Sequence, residues 1–457
     1  MLFNSVTFLL LHFFCVALYW ASPALRVRQI ILLISSLVFY GWLYWPALFL
    51  LGAAIVVNYG FSLWIDSTER KRLVTAFAVA VNLCNLGWFK YSAFLGEILV
   101  ELFDRFGISI ENPPSSVWLP LGISFFTFQV IGYLVDVSRG EIRAERNFFV
   151  FSVFKCFYAQ LVAGPIVRAN ELIPQLKELR KFRADNFQLG LYLLIAGLAM
   201  KICLADTLSQ FVEHGFSDPA KLEVATAWLT LYAFAAQILS DFWGYSTVAI
   251  GLGLMYGITL PLNFNLPYLA TSIREFWHRW HITLSAWLRD YLYIPLGGNR
   301  TGRYRNLFLT MVLGGIWHGA SWNFVIWGAC HGVWLVLERA VPDFFPKGRF
   351  FTMLKWLLVV NGVCLLWVFF RAPNIEVALQ YFTALLAPPY TMIDSPPDDL
   401  LFILIGFLAF TAILGKSLTD RRFLEWGLVR QVSLTFFLLV AIIAYADARL
   451  DFIYFVF

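Results

Sequence analysis

Apolar runs recur along nearly the whole chain, and no other feature narrows its possible folds so far. They lie near Val6–Trp20, Val27–Leu43, Pro46–Ile65, Leu73–Phe89, Val117–Val135, Phe148–Gly164, Phe187–Leu204, Val224–Ser240, Val248–Leu262, Leu307–Trp317, Trp322–Leu337, Phe351–Phe370, Leu400–Leu414 and Val432–Ala444. Several are broken by Gly or Pro, or fall short of a full crossing, which suits half-buried or re-entrant segments. A helix needs roughly 20 apolar residues to cross a bilayer, so the length rule predicts about eleven transmembrane helices. The fold class expected is all-α polytopic membrane protein, with re-entrant and interfacial helices beside the crossings. Composition agrees. Only 14% of residues are charged and 60% are apolar, where a soluble domain carries about 25% charged residues. No soluble segment, long linker or internal repeat interrupts the pattern, so residues 1–457 are expected to form a single transmembrane domain.

The net charge of +5 does not point to nucleic acid, because the basic residues sit in short loops that face anionic lipid headgroups. Arg26 and Arg28 follow the first span, Arg70, Lys71 and Arg72 the third, and Arg139, Arg143 and Arg146 the Val117–Val135 span. Alternate loops are basic, which places them in the cytoplasm and the N-terminus outside. The loop Glu101–Ser116, with Pro113-Pro114, then falls outside. Lys177, Arg180, Lys181 and Arg183 break the alternation unless Phe148–Gly164 is re-entrant. The first span lacks a basic start and a small-residue cleavage site, and reads as a retained segment. The six cysteines lie in apolar runs without CxxC spacing and read as small buried hydrophobes.

Against this apolar background the polar residues stand out. Trp317-His318-Gly319 puts an imidazole inside the run Met311–Trp327. Ionisable groups at membrane depth usually face a polar cavity and serve a function; a packing histidine is the plainer alternative. Asp241 and Gln237, four apart on an apolar helix, either line a polar passage or bond across helices. The densest polar stretch is Asn263–Arg305, with Arg274, Arg279, Arg289, Arg300, Arg303, Arg305, His278 and His281. Trp277, Trp280, Leu284 and Leu288 recur there at helical spacing, predicting an amphipathic helix at the interface. His278 and His281, three apart, could share a face of it, but no further ligands accompany them and no metal site is predicted. Leu296-Gly-Gly-Asn299-Arg300 either wraps an anionic group with backbone and guanidinium donors or makes a tight turn. Cys330 and His331 are neighbours, which on a helix point apart, so they make a poor nucleophile and base. His331 stays open between packing and function, Arg371 reads as a snorkelling anchor, and His12 and His214 are assigned no role.

Arg274-Glu-Phe-Trp-His-Arg-Trp-His281 and its continuation to Arg300 resemble the hallmark block of the membrane-bound O-acyltransferase family. Supporting stretches are Leu119–Phe128, Leu161–Arg168, Asn263–Tyr268, Asn306–Gly319 and Trp367–Ala372. Within that family the chain is most similar to the alginate O-acetylation branch. The resemblance implies an hourglass-like helical fold with helices around a central tunnel. It implies that His318 is the catalytic histidine and His281 the second recurring polar position. Arg289, Arg300 and Asn299 are then candidates for holding a phosphorylated donor, and Asp241, Gln237 and Trp317 for lining the substrate path.

The family moves an acyl group from a cytoplasmic thioester, acetyl-CoA or an acyl carrier thioester, to a hydroxyl, without a tightly bound cofactor. In the branch resembled, the acetyl group is destined for an exported polysaccharide, and a periplasmic acetyltransferase partner completes the transfer. Residence in a bacterial inner membrane among its lipids follows. The sequence departs from the branch at Asp241-Phe-Trp-Gly-Tyr-Ser-Thr247, where relatives tend to carry Ser in place of Trp243 and Asp in place of Thr247. This leaves the acceptor open rather than the reaction. The rival readings are a transporter or flippase, and a scaffold for a periplasmic acetyltransferase.

Overall fold

The computed structural model describes residues 1–42, 44–109, 118–162, 164–341, 345–386, 400–419 and 422–445. The Pro113-Pro114 turn lies outside the described residues. Every regular element among them is helical. They gather into two compact units, each made of separate stretches of chain: Met1–Gly190 with Ala249–Pro261, and Leu191–Val248 with Leu262–Phe457.

The first unit opens with α1 (Val6–Ala21), α2 (Leu25–Gly41), α3 (Ala47–Ser67) and α4 (Lys71–Arg105). Ser5 starts α1 by accepting a hydrogen bond from the Phe8 amide on its side-chain oxygen, one of the donors a helix start leaves unmet. After α5 (Ile123–Arg139) come two short pieces, α6 (Phe148–Cys156) and α7 (Tyr158–Leu161), then α8 (Ala169–Lys177) and the start of α9 (Ala184–Ala199). The nine residues of α6 span about 14 Å at 1.5 Å per residue, half the hydrocarbon thickness.

The basic loops of this unit come together. Arg28 donates to the Arg180 carbonyl at 2.6 Å, and Lys177 pairs with Glu145 at 3.0 Å. Arg143 and Arg146 reach Asp66 at 3.5 and 3.9 Å. The loop Lys177–Arg183, which upsets a strict alternation of charge, therefore lies on the same face as Arg28 and the Arg139–Arg146 loop. The chain between Arg146 and Lys177 therefore begins and ends on that face.

The second unit takes in the rest of α9, a π-helical turn (Met200–Asp206), α10 (Thr207–Ser217), a 3-10 turn (Pro219–Lys221) and α11 (Val224–Met255) as far as Val248. A 3-10 turn (Pro267–Leu269), α12 (Ile273–Arg279), α13 (Ile282–Leu288) and a π-helical turn (Arg289–Tyr293) follow. Then come α14 (Arg303–His318), α15 (Trp322–Ala340), α16 (Arg349–Arg371), α17 (Ile375–Ala384), α18 (Leu400–Thr419), α19 (Arg422–Glu425) and α20 (Leu428–Ala444).

The structure corrects the sequence reading at two points. The span drawn at Val224–Ser240 and the first part of that at Val248–Leu262 are one continuous helix, α11, which passes through Asp241–Thr247 and ends at Met255. The amphipathic helix expected through Trp277–Leu288 is broken at Trp280-His281, where His281 takes the left-handed conformation at φ +43°. His278 is exposed while His281 is fully buried, so the two do not share a face.

Among the described residues, five helical stretches are long and apolar enough to cross a membrane: Ala47–Ser67, Lys71–Arg105, Ala184–Ser217, Val224–Met255 and Arg349–Arg371. Val6–Ala21 and Leu428–Ala444 are apolar but shorter. The best window of Val224–Met255 is 94% buried against 28% for Lys71–Arg105, which makes α11 a core helix and leaves α4 the face of a lipid-exposed one.

Candidate active site

His318 is the last residue of α14. The helix stops because Gly319 is extended, and Ser321 restarts the chain as α15 by accepting from the Asn323 amide. The two helices of this hairpin meet at glycines. A Cβ on Gly315 would stand 2.3 Å from the Phe324 carbonyl oxygen, and one on Gly328 would stand 2.4 Å from that of Met311. Small residues at such a crossing let backbones approach within reach of dispersion contact. This contact fixes His318 against α15 and α16. Its ring lies 5.0 Å from Trp317, 5.2 Å from Trp327 and 5.3 Å from Phe370, and the residue is buried.

His281 sits on the other side of Trp317, whose ring is 6.2 Å away. Phe242 abuts it edge-on at 4.7 Å. Its Nδ1 lies 3.0 Å from Asn263 Oδ1, which also accepts from the Thr283 hydroxyl and amide. Asn263 donates its own NH2 to Ser246. An oxygen that accepts from Thr283 must accept from His281 too, so Nδ1 carries the proton and the neutral ring keeps its lone pair on Nε2. Burial pushes the imidazole pKa down to about 3, which holds the ring neutral. Asn263 stands in the quoted motif Asn263–Tyr268, yet nothing in its spacing announces that it sets this tautomer.

His331, one turn beyond Trp327 on α15, is fully buried among Phe276, Trp277 and Trp327, with ring centroids at 6.4, 5.1 and 4.8 Å. Trp327 is thus shared between His318 and His331.

The remaining candidates fall into different surroundings. Trp317 is buried between the two site histidines. Asp241 is buried and pairs with Lys201 at 2.8 Å, while Lys201 also meets Asp206 at 2.6 Å. Lys201 lies in the π-helical turn, an irregularity frequent at functional sites, and the sequence reading overlooked it because a single Lys in an apolar run looks like a helix-end anchor. Gln237 is half-buried on α11, four residues before Asp241. Arg289 is exposed and forks onto Asp290 at 2.6 and 3.0 Å. Arg300 and Asn299 are exposed on the glycine loop, where Tyr293 donates to Asn299 Oδ1. The amides of Gly297, Gly298, Arg300 and Thr301 all donate to carbonyls within that stretch, and Asn306 ties it down through the Gly298 and Thr301 carbonyls. These backbone donors are used in building the turn, which leaves the side chains of Asn299 and Arg300 as its outward groups. Arg371 pairs with Glu213 and stacks over Phe216.

A buried, helix-ending histidine in an aromatic cage, with a second neutral histidine beyond one indole ring, is the equipment of acyl or proton transfer. Comparison with known proteins agrees with that class. Residues 30–377 match the model of the membrane-bound O-acyltransferase family. The chain belongs to this family: it is a multi-pass membrane acyltransferase. A probable alginate O-acetylase of Azotobacter vinelandii is 43% identical over 396 residues, covering 84% of this chain and 78% of that one. A peptidoglycan O-acetyltransferase of Helicobacter pylori is 38% identical over 424 residues, covering 83% and 79%. A teichoic acid D-alanyltransferase of Bacillus subtilis is 24% identical over 298 residues, covering 59% and 75%.

Proposed function

We propose that this protein is an inner-membrane O-acetyltransferase that passes acetyl from a cytoplasmic thioester, acetyl-CoA or an acyl carrier thioester, toward an exported polysaccharide. The observation that carries the reading is the pair His318 and His281 flanking Trp317 in a buried site, in a chain whose relatives are named for O-acetylation of alginate and of peptidoglycan. The shorter apolar helices would bring the five long ones to about eleven crossings around a tunnel, with both compact units working as one domain, since the family match runs through both.

His318 takes the proton of the acceptor hydroxyl as its oxygen attacks the thioester carbonyl. The C–S bond then breaks, the thiolate collects the proton from the imidazolium, and the free thiol leaves. A neutral imidazole suits the first step because its unperturbed pKa lies near operating pH. His281, held neutral by burial and by Asn263, positions the reacting groups from the other side of Trp317. The thioester oxygen is left to an N–H donor, as in an oxyanion hole. Arg289, Arg300 and Asn299 would meet the phosphates of the donor. The basic loops face the cytoplasm, and a periplasmic acetyltransferase carries the group on to the glycan.

The test is consumption of radiolabelled acetyl-CoA by purified protein in nanodiscs, supplied with a periplasmic acetyltransferase and glycan. Turnover by the wild type that disappears in folded His318→Ala is the expected result. Equal turnover in both, or none in either, would put a transporter or scaffold in its place.

A further inference from the structure

Outside the candidate active site, the second unit carries an open groove of about 610 Å³ where α16 begins. Leu269, Met353 and Trp356 give it apolar walls, and Thr271, Thr352 and Arg349 complete its lining. One wall comes from the 3-10 turn Pro267–Leu269 and the other from the first two turns of α16. Trp356 ties the two together by donating its Nε1–H to the Tyr268 carbonyl at 2.8 Å. The volume lies within the range of about 300–1,000 Å³ common to small-molecule sites.

The hydrogen-bonding inventory of this groove is short. Thr271 spends its hydroxyl proton on Glu275 at 3.0 Å, and Thr352 spends its own on the Gly348 carbonyl at 3.1 Å. Glu275 is in turn neutralised by Arg279 at 2.7 Å. Arg349 is different: it is exposed and has no carboxylate partner among the described residues. A fitting ligand therefore accepts from one guanidinium and is apolar over the rest of its contact. A phosphate diester takes a guanidinium in bidentate fashion, whereas a sugar needs more polar partners than these walls offer.

The surroundings extend both halves of that description. Lys347, two residues before Arg349, and Arg274, three residues after Thr271, are exposed too. Glu338 offers them little opposing charge, since its oxygens accept the amides of Ile273 and Arg274. Basic residues at the end of an apolar helix attract anionic lipid headgroups. α16 is one of the five helical stretches long and apolar enough to cross a membrane. Met353 leads on to Leu357 one turn later, and the two are 52% and 40% exposed, so the apolar wall continues along the helix.

We propose that this groove binds an anionic phospholipid, with its phosphate on Arg349 and its acyl chains along Met353, Trp356 and Leu357. Charge at one end and an apolar helix face leading away from it match a lipid and no soluble phosphate. Occupancy is independent of the transfer chemistry at His318.

The experiment titrates delipidated protein in detergent with phosphatidylglycerol and reads binding by native mass spectrometry, in wild type, Arg349→Gln and Arg349→Glu. One molecule is expected to bind the wild type at least tenfold more tightly than phosphatidylethanolamine does. Its affinity is expected to fall about tenfold in Arg349→Gln, the loss of one charge-assisted contact, and further in Arg349→Glu. If neither variant folds, Met353→Asp, which sets a charge on the acyl wall, is expected to show the same loss. Glycerol phosphate, the anion without the tails, is expected to leave the lipid in place at about a hundredfold excess. Displacement by it would make this a site for free phosphates and overturn the lipid. Equal binding of the two lipids, or binding that survives the variants, overturns the site and leaves Arg349 as a snorkelling anchor. A wild-type dimer that forms in place of the lipid-bound monomer gives the groove to a second copy and overturns it as well.

Discussion

Two buried histidine clusters in this molecule have similar burial and opposite character. In the first unit His12 has a partner on each ring nitrogen: Tyr158 Oη at 2.6 Å on Nδ1 and Met255 Sδ at 3.4 Å on Nε2. Tyr158 passes the network on to Tyr256 at 2.9 Å. In the second unit His331 has none among the described residues and is ringed by Phe276, Trp277 and Trp327. Burial alone therefore does not mark a functional histidine. What separates His12 from His331 is whether the surrounding side chains bring a hydrogen-bond partner to each ring nitrogen.

The contrast breaks most visibly at His318. His318→Ala should lower acetyl-donor turnover about a thousandfold, within the range for a positioned general base, with thermal unfolding unchanged. A variant that unfolds as it loses activity would place His318 with His12 as structural. The opposite pattern is expected for His12→Phe. It preserves the ring but removes the hydrogen bond to Tyr158, costing about 1 kcal/mol of stability, read as a lower unfolding midpoint with kcat intact. A loss of turnover without a shift in midpoint would erase the distinction.

Asn263→Ala sharpens the comparison from inside the site. It frees His281 to change tautomer, and roughly a tenfold fall in kcat, about 1.4 kcal/mol of barrier, is expected, with KM for the donor little changed. The smallest effect belongs to the pair of exposed Arg289 and half-buried Asp290. Asp290→Asn should cost less than about 0.5 kcal/mol, and a KM for donor that moves by no more than twofold fits a surface ion pair. A larger rise in KM would mean that Asp290 holds Arg289 in place for the donor.

The all-helical membrane class and the family were legible in the chain, since they follow from local hydropathy and contiguous motifs. The break at Trp280-His281 was not. Trp277, Trp280, Leu284 and Leu288 have helical spacing on either side of it, and a non-glycine residue at φ +43° persists only where surrounding packing over-determines it. Asp241 shows the same limit differently. Its presence in an apolar helix announces a partner, but whether that partner is substrate or Lys201 depends on α9 and its π-helical turn arriving alongside α11.

The sequence by itself determined that this chain enters a membrane and carries acyltransferase residues, because apolar length and contiguous motifs are properties of the chain read in order. Only the tertiary structure decided which partners the ring nitrogens meet. Hydrogen-bond partners such as Asn263 for His281 and Tyr158 for His12 come from residues 18 and 146 positions away. Proton placement follows from those partners and not from the residue's own neighbours in the chain.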